Sequence, residues 1–241
     1  MNTVKIQAGN CRLIAHRGVS GLEKENTNLA FVAAGNRSYY GIETDIHRTA
    51  DGKFIVIHDR TTDRVAGMHC DVEQTDRSVL RRITLLDVNG EPGRPDLHLP
   101  TFEEYVDTCA KYEKVSVLEL KGEISGEDAD AIIATLRERG HLEQTIFISF
   151  SLNDLILVRE RLPEQPIQFL FKDTTPEIME ALRRYRFDVD VDYHALTEES
   201  IAAFHAEGIK VNCWTVNDPE KAARLISWGV DYMTTNILEN G

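Results

Sequence analysis

The chain has 241 residues, 42% of them hydrophobic and 28% charged, with a formal net charge of −13. That length can bury a large core without disulfide staples, and so acidic a balance disfavours nucleic acid or an anionic membrane as a partner, since phosphate-rich surfaces need a concentrated basic face. Cys11, Cys70, Cys109 and Cys213 are scattered, with no CxxC pair and no zinc-type histidine spacing, so they read as reduced thiols of a cytoplasmic protein. No signal-like apolar stretch opens the sequence and no run of about eighteen apolar residues follows, so neither export nor stable membrane insertion is expected.

Residues 11–15 form a short apolar strand that ends in His16-Arg17-Gly18. Asn26 is a plausible N-cap for a helix over 27–34, stopped by Gly35. The next strand, 41–49, carries Glu43 and Asp45 two apart, so both carboxylates project from one face and make half a cation site. Asp51-Gly52 signals a hairpin, after which 53–57 reads as a second apolar strand delivering His58 and Asp59. From 61 to 99 the pattern degrades into a polar, turn-rich segment with Asn89-Gly90, Pro92-Gly93 and Pro95. Its thin apolar content predicts an insertion that caps the mouth of the fold.

Thr101 with Glu104 three residues on is a capping box, leading a helix through Ala110. The strand 114–121 follows, with Glu119 and Lys121 on one face and Leu118 and Leu120 on the other. From there the alternation is regular. Helix 128–139, strand 145–150, helix 153–162, strand 167–171, a helix opened by Thr175-Pro176, strand 187–191, helix 197–207, strand 209–216, a helix from Asp218-Pro219 through Trp228, and strand 230–234 succeed one another. With 53–57 counted as part of the second unit, there are eight strands with intervening helices, which predicts one closed (β/α)8 TIM barrel over residues 1–241. Charged residues at the carboxyl ends of barrel strands then line the mouth, where barrel active sites lie. No phosphate-binding GxGxxG or GxxxxGK[ST] loop is present.

Together these motifs resemble the glycerophosphodiester phosphodiesterase family of TIM barrels along nearly the whole chain. The resemblance runs through His16-Arg17-Gly18, Glu25-Asn26-Thr27, Glu43-x-Asp45, Asp51-Gly52, His58-Asp59, Pro100-Thr101-Phe102, Glu119-x-Lys121 and Trp214-Thr215-Val216-Asn217. It implies metal-dependent hydrolysis of a glycerophosphodiester, a small-molecule substrate, to glycerol 3-phosphate and an alcohol. Glu43, Asp45 and Glu119 would hold a divalent cation, Mg²⁺ or Ca²⁺, while His16 and His58 form the acid/base pair and Arg17 and Lys121 meet the phosphate. Three carboxylates without thiolates are a hard-oxygen set that suits such a cation. Of the two histidines, His16 is assigned as base and His58 as acid. Trp214 stands either in the core or as an apolar wall for the glycerol carbons. Two positions depart from the family pattern: Lys24 stands where proline is usual, and Asn236 where the last strand commonly ends in Thr-Asp. The alternatives are head-group release from a lysophospholipid on the same barrel, and a non-catalytic phosphate-ligand-binding barrel. The six other histidines read as structural or exposed, with His194 able to reach the mouth.

Overall fold

The computed structural model describes residues 2–241. Eight strands, β1 (Arg12–Ala15), β2 (Gly41–Arg48), β3 (Val115–Leu120), β4 (Thr145–Ser149), β5 (Ile167–Phe171), β6 (Asp188–Asp192), β7 (Val211–Trp214) and β8 (Tyr232–Thr235), each pair in parallel with the next. β8 pairs back onto β1, from Tyr232 opposite Arg12 to Thr235 opposite Ala15, so the sheet closes into the expected barrel. Ile14, Val117, Ile146, Ile148, Leu170 and Tyr232 fill the barrel interior, while the larger core lies between the outer faces of the strands and the helices. This is the layering that a parallel barrel requires, with both faces of each strand buried.

Helix termini follow the capping chemistry, and element ends depart from expectation by only one or two residues. The Thr101–Glu104 capping box is formed, and Ser125 with Asp128 makes another at the start of the helix Gly126–Glu138. One N-cap is corrected. Thr27, not Asn26, caps the helix Asn28–Gly35, because the side chain of Asn26 is turned inward and used elsewhere. Val4–Ile6 and Leu238–Asn240 form a small parallel pair that the short apolar content at either end of the chain gave no reason to expect. The latter strand, rather than an eighth barrel helix, follows β8.

The hairpin is present, with Phe54–Val56 antiparallel to β2 and Gly52 at φ +70° in its turn. The segment beyond it differs from expectation in one respect. Its apolar side chains, sparse in sequence, converge with those of the hairpin: Ile55, Ile57, Val65, Val72, Leu80 and Leu97 are among the buried members of a separate small core. Non-periodic sequence hides such a core because its members come from turns and from the short helices Asp63–Ala66 and Arg77–Leu80, where no face repeats. By contrast, residues 88–96 are exposed throughout. Replacing 89–95 by a short glycine linker is therefore expected to leave the melting temperature within a few degrees. Leu80→Ala should cost about 2–5 kcal/mol, as removal of a fully buried leucine does. Differential scanning calorimetry of the two variants checks both, and loss of the cooperative transition in the trimmed protein would contradict the first.

Candidate active site

Closure of the barrel places the residues at the carboxyl ends of β1, β2 and β3 side by side. Asp45 on β2 lies opposite Glu119 on β3, with Glu43 two residues earlier on the same inward face. One oxygen from each of Glu43, Asp45 and Glu119 falls within 4.8 Å of the other two, and all three carboxylates are buried. Around an ion bound at about 2.3–2.6 Å, ligand oxygens stand no further apart than twice that distance, so the spacing fits one hard cation. An oxygen of Asp45, Oδ1, is buried and accepts no hydrogen bond of good geometry, which leaves a lone pair for such an ion.

Two cations already touch the cluster. Lys121 Nζ donates to Glu119 Oε1 at 2.6 Å and lies 3.1 Å from Asp45 Oδ1. Arg17, held at φ +54°, donates its backbone N–H to Glu43 Oε2 at 2.7 Å and its Nη1 to Glu25 at 2.8 Å, with Nε 3.4 Å from Asp45. The electrostatics split the acids. Burial, then the charge of Asp45, holds the Glu43 carboxyl well above the usual range, and the same two causes raise Glu119 to about 8. Burial also works against the Asp45 charge, but Lys121, Arg17 and His58 together outweigh it and keep this carboxylate ionised.

The two histidines are oriented by different partners. His16 Nδ1 lies 2.7 Å from Asn236 Oδ1, an acceptor, so Nδ1 carries the proton and Nε2, 4.0 Å from Glu43, is the free base. Burial, then the neighbouring Arg17, lowers His16 to about 4. His58 Nδ1 donates instead to the carboxylate of Asp59 at 2.6 Å, and Asp59 is pinned by Arg64 Nε at 2.6 Å. Arg64, from the inserted segment, also grips Glu25 with two bonds of 2.7 and 2.8 Å.

Of the residues given a catalytic, metal-binding or substrate-binding role in the sequence, all except Asp45 line one pocket with about 70 Å³ of free volume: His16, Arg17, Glu43, His58, Glu119, Lys121 and Trp214. Asp45 lies just behind them. Trp214 is fixed by its indole N–H, which donates to the backbone carbonyl of Asp190 at 3.2 Å, and its ring meets Phe150 edge-on at 5.8 Å, so it is wall rather than core. His194 is not part of this pocket and bonds Asp192 at the surface. His47 is structural, bridging Glu73 and the backbone of His58.

The match to the glycerophosphoryl diester phosphodiesterase family begins on His16 itself and runs to residue 239. The chain belongs to that family. It is therefore a phosphodiesterase. A glycerophosphodiester phosphodiesterase of Bacillus subtilis is 30% identical, over 92% of this chain and 82% of the relative. One from Caldanaerobacter subterraneus subsp. tengcongensis is 28% identical over 93% of both chains. Among solved structures, an Oleispira antarctica phosphodiesterase in complex with sn-glycerol-3-phosphate superposes with a TM-score of 0.86 at 23% identity, covering 93% of this chain and 92% of that one. A Thermotoga maritima glycerophosphodiester phosphodiesterase gives a TM-score of 0.72 at 26% identity, covering 94% of each chain.

Four supporting residues were not assigned a role in the site from sequence. Asn26 donates to Asp45 Oδ2 at 2.8 Å while accepting from Thr44 at 2.7 Å, so it aims the carboxylate. Glu25 and Asp59 orient Arg17 and His58 respectively. All three lie inside the motifs that carried the resemblance, which was the available signal. The fourth, Asn236, appeared only as a departure from the family pattern, and it is the partner of His16. No helix among the described residues is long and apolar enough to cross a membrane.

Proposed function

We propose that the enzyme hydrolyses glycerophosphodiesters to glycerol 3-phosphate and an alcohol, in a reaction that depends on a divalent cation held by Glu43, Asp45 and Glu119. The observation that carries this reading is the convergence of three buried carboxylates and two differently partnered histidines on one pocket. The all-oxygen donor set favours Mg²⁺ or Ca²⁺. When bound there, such a cation would supply charge stabilisation to the phosphoryl oxygens.

The chain's own groups account for orientation and proton transfer. Arg17 and Lys121 face the phosphate with fixed positive charge, complementary to the negative charge that gathers on its oxygens in the transition state. His16, neutral and with Nε2 free, suits the role of base toward the attacking water. His58 suits the acid, because Asp59 behind it stabilises the imidazolium that must form before the leaving alkoxide takes a proton. Its amide counterpart at His16 offers no such charge. Trp214, Phe150 and Leu170 provide an apolar wall for carbon atoms between the polar groups.

The test is a product assay on a panel of glycerophosphodiesters and lysophospholipids. Glycerol 3-phosphate should appear from the former, with rates on the lysophospholipids at least tenfold lower, on the order of what one mismatched apolar contact gives. Faster head-group release from lysophospholipids would transfer the assignment to that reaction.

A further inference from the structure

Asp190 lies midway along β6 with its side chain on the inward face, lining the same pocket as the catalytic candidates but outside the three-carboxylate cluster. It is 2% exposed, and among the described residues its carboxyl takes no hydrogen bond, with Oδ1 fully buried. The polar groups around it are committed to one another. Asn212, its neighbour across the sheet, donates to Gln168 at 2.9 Å and accepts from Thr234 at 3.3 Å. Trp214 donates to the backbone carbonyl of Asp190 and does not reach its carboxyl. A buried carboxyl without a partner costs stability, so a fold that retains one keeps it for something the pocket receives.

The chemistry of that ligand can be narrowed. The phosphate already has Arg17 and Lys121 to meet it, so Asp190 is left for another part of the substrate. Burial, then the charge of Glu119, raises the Asp190 carboxyl well above its ordinary range, so it is poised to give as well as accept a hydrogen bond rather than to hold a cationic head group. Ile148, Leu170 and Trp214 line the same pocket and give it an apolar surface suited to a short carbon chain. Building on the function proposed above, we infer that Asp190 is the specificity residue for the polyol half of the diester, hydrogen-bonding a free hydroxyl of the glycerol at the floor of the pocket. The leaving alcohol then lies away from Asp190, so the residue acts on the glycerol half alone.

Paired substrates test this: glycerophosphocholine against its analogue with one glycerol hydroxyl replaced by hydrogen, and glycerophosphocholine against glycerophosphoethanolamine. The wild-type enzyme should prefer the intact glycerol by about 10- to 100-fold or more in kcat/KM, the range for an unmet hydroxyl partner. Asp190→Ala should collapse that ratio toward one by slowing the intact substrate, while the ratio between choline and ethanolamine diesters stays as in wild type. Asp190→Asn, similar in shape and still able to donate and accept, should recover part of the preference without lowering the melting temperature. Equal losses on intact and deoxy substrates, or a melting temperature several degrees lower in Asp190→Asn, would assign Asp190 a structural role and overturn the inference. A change confined to the head-group ratio would overturn it in favour of a head-group contact. If the wild-type protein hydrolyses no glycerophosphodiester at all, the function proposed above fails with it, a result distinct from a wild-type preference that Asp190 does not control.

Discussion

His16→Ala and His58→Ala are each expected to lower kcat by about 10²- to 10⁴-fold while leaving KM within a few-fold of wild type. Both remove a proton-transfer group needed as the phosphoester bond breaks, and neither removes a charge that holds the substrate. Because the two act in one reaction, the double variant should lose far less than the product of the single losses. Their partners distinguish them. A substrate with a p-nitrophenol leaving group needs little protonation and should restore most of the activity of His58→Ala, whose Asp59 partner suits it to the acid role, but not that of His16→Ala. Lys121→Ala provides the contrast: it removes a cation that meets the phosphate in ground and transition states alike, so KM should rise as kcat falls. Steady-state kinetics on both substrate types decide the matter. If p-nitrophenyl ester hydrolysis rescues neither histidine variant, the acid/base assignment is wrong.

Removal of divalent cations should reduce activity by about a thousandfold or more, and added Mg²⁺ or Ca²⁺ should restore it. The same carboxylates give this a signature in stability that does not depend on turnover. Glu119, raised to about 8 by burial and then Asp45, binds its proton more tightly folded than unfolded. Its contribution is fully present below the unfolded value, near 4.5, and is lost as pH rises through 8. His16 works in the opposite sense, since its value is lowered to about 4 from 6.5 and its contribution disappears as pH falls across that window. Above pH 6.5 the acid therefore dominates. In excess chelator the melting temperature should decline between pH 6.5 and 8. Each kcal/mol corresponds to about 2–4 °C for a chain of this size. A divalent cation needs ionised ligands, so the stabilisation that it confers should grow over the same range. Glu119→Gln should flatten both slopes. A melting temperature indifferent to cation at pH 8, with full activity in chelator after exhaustive dialysis, would remove the metal from the assignment.

Local chemistry was legible wherever it repeats or caps. Alternation of short β-branched runs with helical stretches gave eight strands in the right order, and Thr101-x-x-Glu104, Thr175-Pro176 and Asp218-Pro219 marked helix starts that the structure uses. Spacing of two put Glu43 with Asp45, and Glu119 with Lys121, on common faces, because side-chain direction in a strand is fixed by neighbours along the chain. Asn26 shows where that reasoning stops. As a cap-forming residue before a helix it reads as an N-cap, yet a left-handed backbone at φ +53° turns its side chain onto Asp45, a contact that no local rule contains.

The sequence by itself thus determined the barrel class and the order of its strands, since both depend on periodicity and residue type, while its candidate site residues came from the motifs that carry the family resemblance. Only the tertiary structure decided which of those side chains meet. Closure of β8 onto β1 brings Asn236 to His16 across 220 residues of chain and so sets which ring nitrogen is free. The register of β2 on β3 places Asp45 opposite Glu119, and the mutual commitment of Gln168, Asn212 and Thr234 leaves Asp190 without a partner. The inserted segment's small core belongs with these, being assembled from turns. In each case the deciding energy is packing and hydrogen bonding between strands distant in sequence, which exists only once the sheet has closed.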